Sequence, residues 1–386
     1  MNPELKDLFL LNPEVTFLNF GSFGATPIPI FEKYQALQKE LEYEPVQFIT
    51  QKGLRLLEEA RFKLGDYVGC HGDDLVFTTS PSYAINTVAK ALKFNPGDEI
   101  LATNLEYGAL DTTWKFYCEK SGAKYIQQPI NLPIESKESI LNDFWKGYTK
   151  NTKAIFISQI TSFTGLILPV KEICEEAKKR GLLTIVDGAH VPGHIPLNLS
   201  ELEIDIYTGA CHKWMMAPKG SSFLYAKKDI QPLLEPLSIS WGYELVKRSH
   251  SEFINWHEMN GTRDYTAFLT VPSCIDFMEK YDWSTVAKNC SNLTIQNASR
   301  FYELVEQNPI APLKSEFYGQ LCSIPISCEN PVEVQKRIFN EFKIEVPLMS
   351  ENNRSYLRYS INAFNSQEDL DKLYSTVKQL QEENLI

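Results

Sequence analysis

Short apolar runs alternate with amphipathic ones through the middle of the chain. LVFTT is followed by SYAINTVAKAL, EILAT by GALDTTWKFYCEK, and KAIFIS by VKEICEEAKKRG, after which come LLTIVDG, DIYTG and SFLYA. The apolar runs predict strands buried on both faces, and the segments with apolar residues recurring at three and four predict helices packed against them. Repeated in this order, they predict βαβ units with right-handed crossovers: an α/β fold with a mostly parallel sheet covered by helices. Upstream, from about Ile28 to Val68, the pattern is helical with an interruption near Pro45. Beyond about Trp256 the texture changes to long helical stretches such as STVAKNCSNLTIQNASRFYELVEQ, with only CSIPIS and YLRYSIN reading as strands. The expected division is an N-terminal arm over 1–27, a large domain over 28–255 and a smaller α+β domain over 256–386.

Composition narrows what such a fold does. With 386 residues, 43% of them hydrophobic and 23% charged, the chain is long enough to bury two substantial cores, which excludes disordered and collagen-like classes. A net charge of −11 leaves no basic surplus to neutralise phosphates, so neither nucleic acid nor an anionic membrane is an expected partner, and small molecules are. Eight cysteines are scattered without a CxxC pair, which argues against a zinc ribbon and against a disulfide framework. Reduced thiols, no metal and a cytoplasmic location are expected. The N-terminal MNPELKDLFLLNPEVTF lacks a signal-peptide pattern, and no apolar run reaches the ~18 residues that span a bilayer.

In an open parallel sheet, ligands bind beyond the carboxyl ends of the strands. The polar residues at those ends are SPS (Ser80, Pro81, Ser82), EYG with Tyr107, SQITS with Ser162, DGAH with Asp187 and His190, and CHK with His212 and Lys213. Neither the glycine fingerprint of a nicotinamide site nor a P-loop is present. The inventory is what pyridoxal phosphate requires. Its aldehyde needs a lysine, its pyridine nitrogen needs a carboxylate to stay protonated, and its phosphate needs hydroxyls and backbone N–H groups. Lys213, in the otherwise small and apolar GACHKWMMAPKG, is the candidate for the first; Asp187 serves the second; Ser82 and its neighbours at a helix start serve the third. Tyr107 is placed to stack on the ring and His190 to reach its hydroxyl. Taken singly, Asp187 also reads as a turn acid, Ser82 as a helix cap, the histidines and Tyr107 as interior residues, and Lys219 as a solvated turn lysine. It is the joint pattern, in order and each member after a strand, that points to the cofactor.

DGAHVPG followed by HKWMMAPKGSSFLYA resembles the class V aminotransferase group of fold-type I pyridoxal-phosphate enzymes. FLNFGSFGATP, the EYGA stretch, NGTRDYTAFLTVP and LRYSINAFNS resemble its isopenicillin N epimerase-like branch, so that the likeness runs from about Phe17 to Phe364. The resemblance implies that Lys213 binds the cofactor covalently, that Asp187 pairs with its pyridine nitrogen, and that His190 lies near its ring oxygen, with Ser162 at another position near that oxygen. It further implies His212 and Ser82 on the phosphate, Tyr107 stacked on the ring, and Arg358 clamping a substrate α-carboxylate. Thr262 would reach the phosphate of a neighbouring subunit, which implies a homodimer with shared sites.

Two departures qualify the likeness. Ala210 stands where many relatives carry a serine, leaving a phosphate hydroxyl to be replaced, with Thr208 or Tyr207 as candidates. EVPLMSENNRSYLR, the loop before Arg358, has no cysteine, which argues against desulfuration through a persulfide. The expected activity is therefore epimerisation at the α-carbon of an amino acid or peptide-like amine. A β-eliminating carbon–sulfur lyase or an aminotransferase is the alternative, and a catalytically dead binding protein on the same fold is a remote one, disfavoured because Lys213 and Asp187 are both present.

Overall fold

A computed structural model of the chain describes residues 3–351 and 354–386. The chain begins with a short arm carrying the two-residue strand β1 (Thr16–Phe17) and the turn of helix Phe20–Phe23, and continues into the helices Ile28–Tyr43 and Gly53–Val68. The interruption expected near Pro45 is a helical junction: Pro45–Gln47 and a wide π turn over Phe48–Lys52 join those two helices. Proline has no N–H to give to a regular helix, so the ladder breaks there and restarts.

The central sheet follows. Its strands are β2 (Leu75–Thr78), β3 (Glu99–Thr103), β4 (Lys124–Gln128), β5 (Thr152–Ser158), β6 (Leu183–Gly188), β7 (Ile206–Ala210) and β8 (Ser222–Ala226). They lie in the order β2-β8-β7-β6-β5-β3-β4. The β3, β4, β5, β6 and β7 pairings are parallel, and β8 runs antiparallel to both its neighbours. The α/β expectation therefore holds, with SFLYA as the one reversed strand. Strands β2, β3, β7 and β8 are buried at every position, as sheets covered on both faces require, whereas β4 at the edge is exposed at Lys124 and half-buried beyond it. One apolar layer, including Val76, Ile100, Phe156 and Ile206, packs under the helices Pro81–Ala91 and Gly108–Ser121. The other joins Phe77, Ile155 and Val186 to the C-terminal half of the chain.

That half contains β9 (Leu321–Ile326), β10 (Ile344–Glu345), β11 (Leu348–Glu351) and β12 (Arg354–Ser360). Strands β11, β12 and β9 form an antiparallel sheet in that order. The arm ties the two halves together. Strand β1 pairs with β10, Ser360 N donates to Leu18 O at 2.9 Å, and Asn365 Nδ2 donates to Phe17 O at 3.0 Å. All eight cysteines are free thiols, and six of them are buried. Among the described residues no helix is long and apolar enough to cross a membrane.

Candidate active site

The sheet register brings the strand-end residues together. Ser158 of β5, Asp187 of β6 and Thr208 of β7 stand side by side, with Lys213 in the turn that follows β7. Asp187 is 4% exposed, and its carboxylate accepts one hydrogen bond among the described residues, from Ala189 N to Oδ1 at 2.9 Å. Burial raises its carboxyl above the ordinary range, and the Ala189 amide and the Lys213 charge pull it back. Lys213 feels the same balance in reverse: burial lowers its amine to about 8, Asp187 opposes the shift and the Arg358 charge adds to it.

His190 is in direct contact with the lysine amine. Its Nδ1 lies 3.2 Å from Trp214 Nε1, which is a donor only, so Nδ1 accepts. The ring is kept neutral, because burial and the surrounding cations lower it well below the usual histidine range. A neutral ring accepting at Nδ1 carries its proton on Nε2, and Nε2 is 3.0 Å from Lys213 Nζ. An Nε2–H at that position suits the amine in its uncharged form, the minority form below its pKa of about 8. Trp214 is fixed in turn by stacking on His194, with ring centroids 4.0 Å apart, and by Phe20 of the arm at 5.2 Å. His194 bridges its own turn and the C-terminal half: Nδ1 donates to His190 O at 2.9 Å and Nε2 accepts from Gln320 N at 2.6 Å. A side chain at Gly319 would collide with that Nε2.

Ser80 caps the helix Pro81–Ala91, its hydroxyl accepting from Tyr83 N at 3.1 Å, with Pro81 at the first helical position. The capping role thus belongs to Ser80. Ser82, half-buried inside the first turn, keeps its own N–H and hydroxyl free of bonds within the described residues. His212 donates from Nδ1 to Ser221 O at 2.7 Å, and burial brings its pKa to about 4, which leaves Nε2 as an acceptor. Opposite Ala210 in the β7–β8 register stands Ser222, whose buried hydroxyl has no hydrogen-bond partner. The hydroxyls of Thr208 and Tyr207 are engaged elsewhere, with Phe223 O at 2.8 Å and Gln159 Oε1 at 2.9 Å.

Tyr107 precedes the helix Gly108–Ser121 and is 45% exposed, facing a cleft lined also by Glu106, Ser162, Phe163, Met349 and Ser350. Glu106 is a site residue that sequence reasoning passed over. Its carboxyl accepts from Thr103 Oγ1 at 2.6 Å and from Ser158 N and Oγ at 2.7 and 2.6 Å, and burial raises it to about 8. The signal was available: an acid directly before the exposed aromatic, at a strand end.

Arg358 lies on β12, 4% exposed. Its Nη1 donates to Ser162 O at 2.5 Å, its Nη2 donates to Ser22 Oγ at 2.8 Å, and its buried Nε has no partner. No carboxylate pairs with it among the described residues, although burial pulls it down to about 10. Ser162 thus meets the arginine through its carbonyl and, at 3.4 Å from Nη1, through its hydroxyl. Thr262 stands apart in an exposed loop between the helices Glu252–Glu258 and Thr266–Leu269, with no bond from its side chain to the cluster within the described residues. Asn352 and Asn353, in the loop before Arg358, lie outside the described residues.

These groups fit pyridoxal phosphate. They offer an amine whose pKa burial lowers to about 8, a buried carboxylate with Oδ2 unspent among the described residues, a helix start with a free amide and hydroxyl, and an orphaned buried hydroxyl at Ser222.

The comparisons with known proteins support the same cofactor. The family model described as Aminotransferase class-V matches residues 35–373. The chain is 30% identical over 384 residues to the isopenicillin N epimerase of Amycolatopsis lactamdurans, covering 96% of each chain. It is 23% identical over 387 residues to the hercynylcysteine sulfoxide lyase of Schizosaccharomyces pombe, covering 97% of this chain and 96% of the other. Among solved structures, the cysteine desulfurase from Thermococcus onnurineus superposes with a TM-score of 0.83 at 21% identity, over 99% of this chain and 98% of that one.

Proposed function

The chain belongs to the aminotransferase class-V family of pyridoxal-phosphate enzymes, and from that premise we propose that it epimerises the α-carbon of an amino acid or peptide-like amine, as isopenicillin N epimerases do. The observation that carries the proposal is the pairing, in one site, of Lys213, its amine lowered to about 8 and set beside buried Asp187, with the carboxylate-free fork of Arg358. When bound, the cofactor supplies an aldehyde that takes up the substrate amine and a protonated ring that absorbs electrons from the α-carbon. The chain's residues do the rest. Lys213 would hold the cofactor, and its amine when free would take the α-proton, a task suited to a group whose pKa is about 8. Asp187 keeps the ring nitrogen protonated. His190 orients the Lys213 amine, and Tyr107 covers the ring. Ser80, Pro81 and Ser82, with His212 and the Ser222 hydroxyl in place of the one missing at Ala210, hold the phosphate. Arg358 clamps the α-carboxylate, with Ser162 beside it. We also propose a homodimer in which Thr262 serves the neighbouring subunit, and the division into an arm over 1–27, a large domain over 28–255 and a small domain over 256–386.

The second reading, a β-eliminating carbon–sulfur lyase, is favoured by the sulfoxide lyase relative. The two separate on products. An amino-acid panel that includes cysteine derivatives, followed for inversion of configuration and for pyruvate, should show inversion without keto-acid release. Pyruvate formed in step with loss of a sulfur substituent overturns the epimerase reading in favour of the lyase.

A further inference from the structure

The arm is built into the site. Gly24 adopts φ +64, and a Cβ there would come within 2.5 Å of His212 O and 2.6 Å of Lys213 O, so the arm's backbone lies directly on the backbone of the lysine turn. Lys219 Nζ donates to Gly24 O at 3.2 Å, Thr26 Oγ1 donates to Ala217 O at 3.3 Å, and Gly21 N donates to Ser360 Oγ at 3.0 Å. The arm is wedged between the turn that carries Lys213 and the strand that carries Arg358, and Ser22 sits on the arginine side of that wedge.

The hydrogen bonds there run in one direction. Arg358 Nη2 donates to Ser22 Oγ at 2.8 Å, the Ser22 hydroxyl donates to Asn19 Oδ1 at 2.6 Å, and Asn19 Nδ2 donates to Glu345 Oε1 at 3.2 Å. Each bond orients the next, which fixes the serine rotamer. On the other side of the fork, Ser162 O accepts from Nη1. Each terminal nitrogen of a guanidinium has two N–H groups: Nη2 spends one on Ser22, and Nη1 spends one on the Ser162 carbonyl, with the Ser162 hydroxyl only a long 3.4 Å contact that a ligand can displace. What remains is a pair of N–H groups on adjacent nitrogens, the arrangement that receives a carboxylate in bidentate fashion. Both protein acceptors are neutral, so the arginine's charge is left for the ligand.

We infer that Ser22 is a positioning residue for carboxylate recognition: with the Ser162 carbonyl it holds the Arg358 fork so that its two remaining N–H groups face the α-carboxylate of the substrate. The inference rests on the reading of Arg358 as the carboxylate clamp. It assigns to the arm a part in substrate selection, not only in tying the two halves of the chain together.

The test uses the holoenzyme with L-alanine and ethylamine as probes, each titrated while the cofactor's visible absorbance is followed. Ser22→Ala should weaken L-alanine about 3- to 10-fold, the size of effect expected on losing one hydrogen bond to a charged group, and leave ethylamine within about twofold. Ser22→Thr, which keeps the hydroxyl, should recover most of the L-alanine affinity. Equal weakening of both probes by Ser22→Ala would show a packing role, and no weakening of either would show no role; both overturn the inference. Arg358→Ala separates the levels. If it discriminates between the probes while Ser22→Ala does not, the inference alone fails. If Arg358→Ala does not discriminate, the clamp reading fails with it.

Discussion

The two sides of the site are assembled differently. On the lysine side, the residues come from consecutive strand ends of one sheet: Asp187 from β6, and His212 and Lys213 from the turn after β7, all held in place by the parallel register. On the arginine side, Ser22 and Arg358 meet across 336 positions of sequence, and Ser162 and Arg358 across 196. The first side is a property of the sheet and the second of the docking between arm, loop and small sheet. Damage to the first should therefore be chemical and indifferent to substrate structure, and damage to the second should be selective for groups the substrate carries.

The largest effect belongs to the lysine side. Lys213→Ala should abolish the borohydride-reducible adduct and lower turnover about 10²- to 10⁴-fold or more for loss of the base alone. Lys219→Ala should do neither, since Lys219 is exposed and its contact is a backbone carbonyl of the arm. Mass spectrometry of the reduced, digested protein locates the modified residue. A label on any lysine other than Lys213 would end the assignment.

Asp187→Asn comes next. An amide keeps the bond to Ala189 N but cannot hold a ring nitrogen protonated, so cofactor should remain while kcat falls about 10²- to 10³-fold for every substrate alike. The absorbance spectrum and kcat, measured on the same preparation, check this. An Asn variant with ordinary kcat would reduce Asp187 to a turn acid.

Arg358→Ala tests the other side. The cofactor's absorbance should be unchanged, while kcat/KM for carboxylate-bearing substrates falls by about 2–5 kcal/mol, because a charge-assisted pair is lost from a buried setting. Decarboxylated amines should be nearly indifferent. Arg358→Lys should restore only part, since a point charge does not reproduce two parallel hydrogen bonds. Loss of equal size for amino acids and amines would erase the distinction between the two sides.

The same contrast decides what was legible in the sequence. The strand-end residues could be read because apolar runs mark the strands, and a polar residue directly after such a run has few places to go other than the ligand face. Asp187 and Lys213 are candidates on that ground, and the same alternation of runs gives the sheet. The reversal of β8 was not, because a buried strand has the same apolar pattern in either direction. The arm was legible as a segment but its contacts were not. Ser22 carries no periodicity that points to Arg358, and only the three-dimensional path of FGSFGA across the site joins them. His194 and Trp214 were in view within their motifs, yet their roles depend on which ring nitrogen accepts, and that is set by neighbours remote in sequence, Gln320 among them.

Glu106 bears on stability and not on turnover, and it provides the finest test of the lysine side. It is buried next to that side, hydrogen-bonded to Ser158, the β5 neighbour of Asp187, and no cation forms an ion pair with it among the described residues. Burial is the largest influence on its carboxyl, the three hydrogen bonds oppose it, and the charge of Asp187 adds to the upward shift, giving a pKa of about 8. In the unfolded chain the group has the ordinary value of 4.5. Between those two pH values the folded protein retains a proton that the unfolded chain has released, so stability should fall as pH rises through the interval and level off above about 8. Glu106→Gln removes the titration while keeping an oxygen for Ser158 and an N–H for Thr103. The wild type's stability relative to the Gln variant should therefore decline by roughly 2–4 kcal/mol between pH 5 and pH 8.5. Urea unfolding midpoints across that range measure it. Parallel curves would mean that Glu106 is already ionised in the fold at pH 5, so that its three hydrogen bonds and not its burial set its charge.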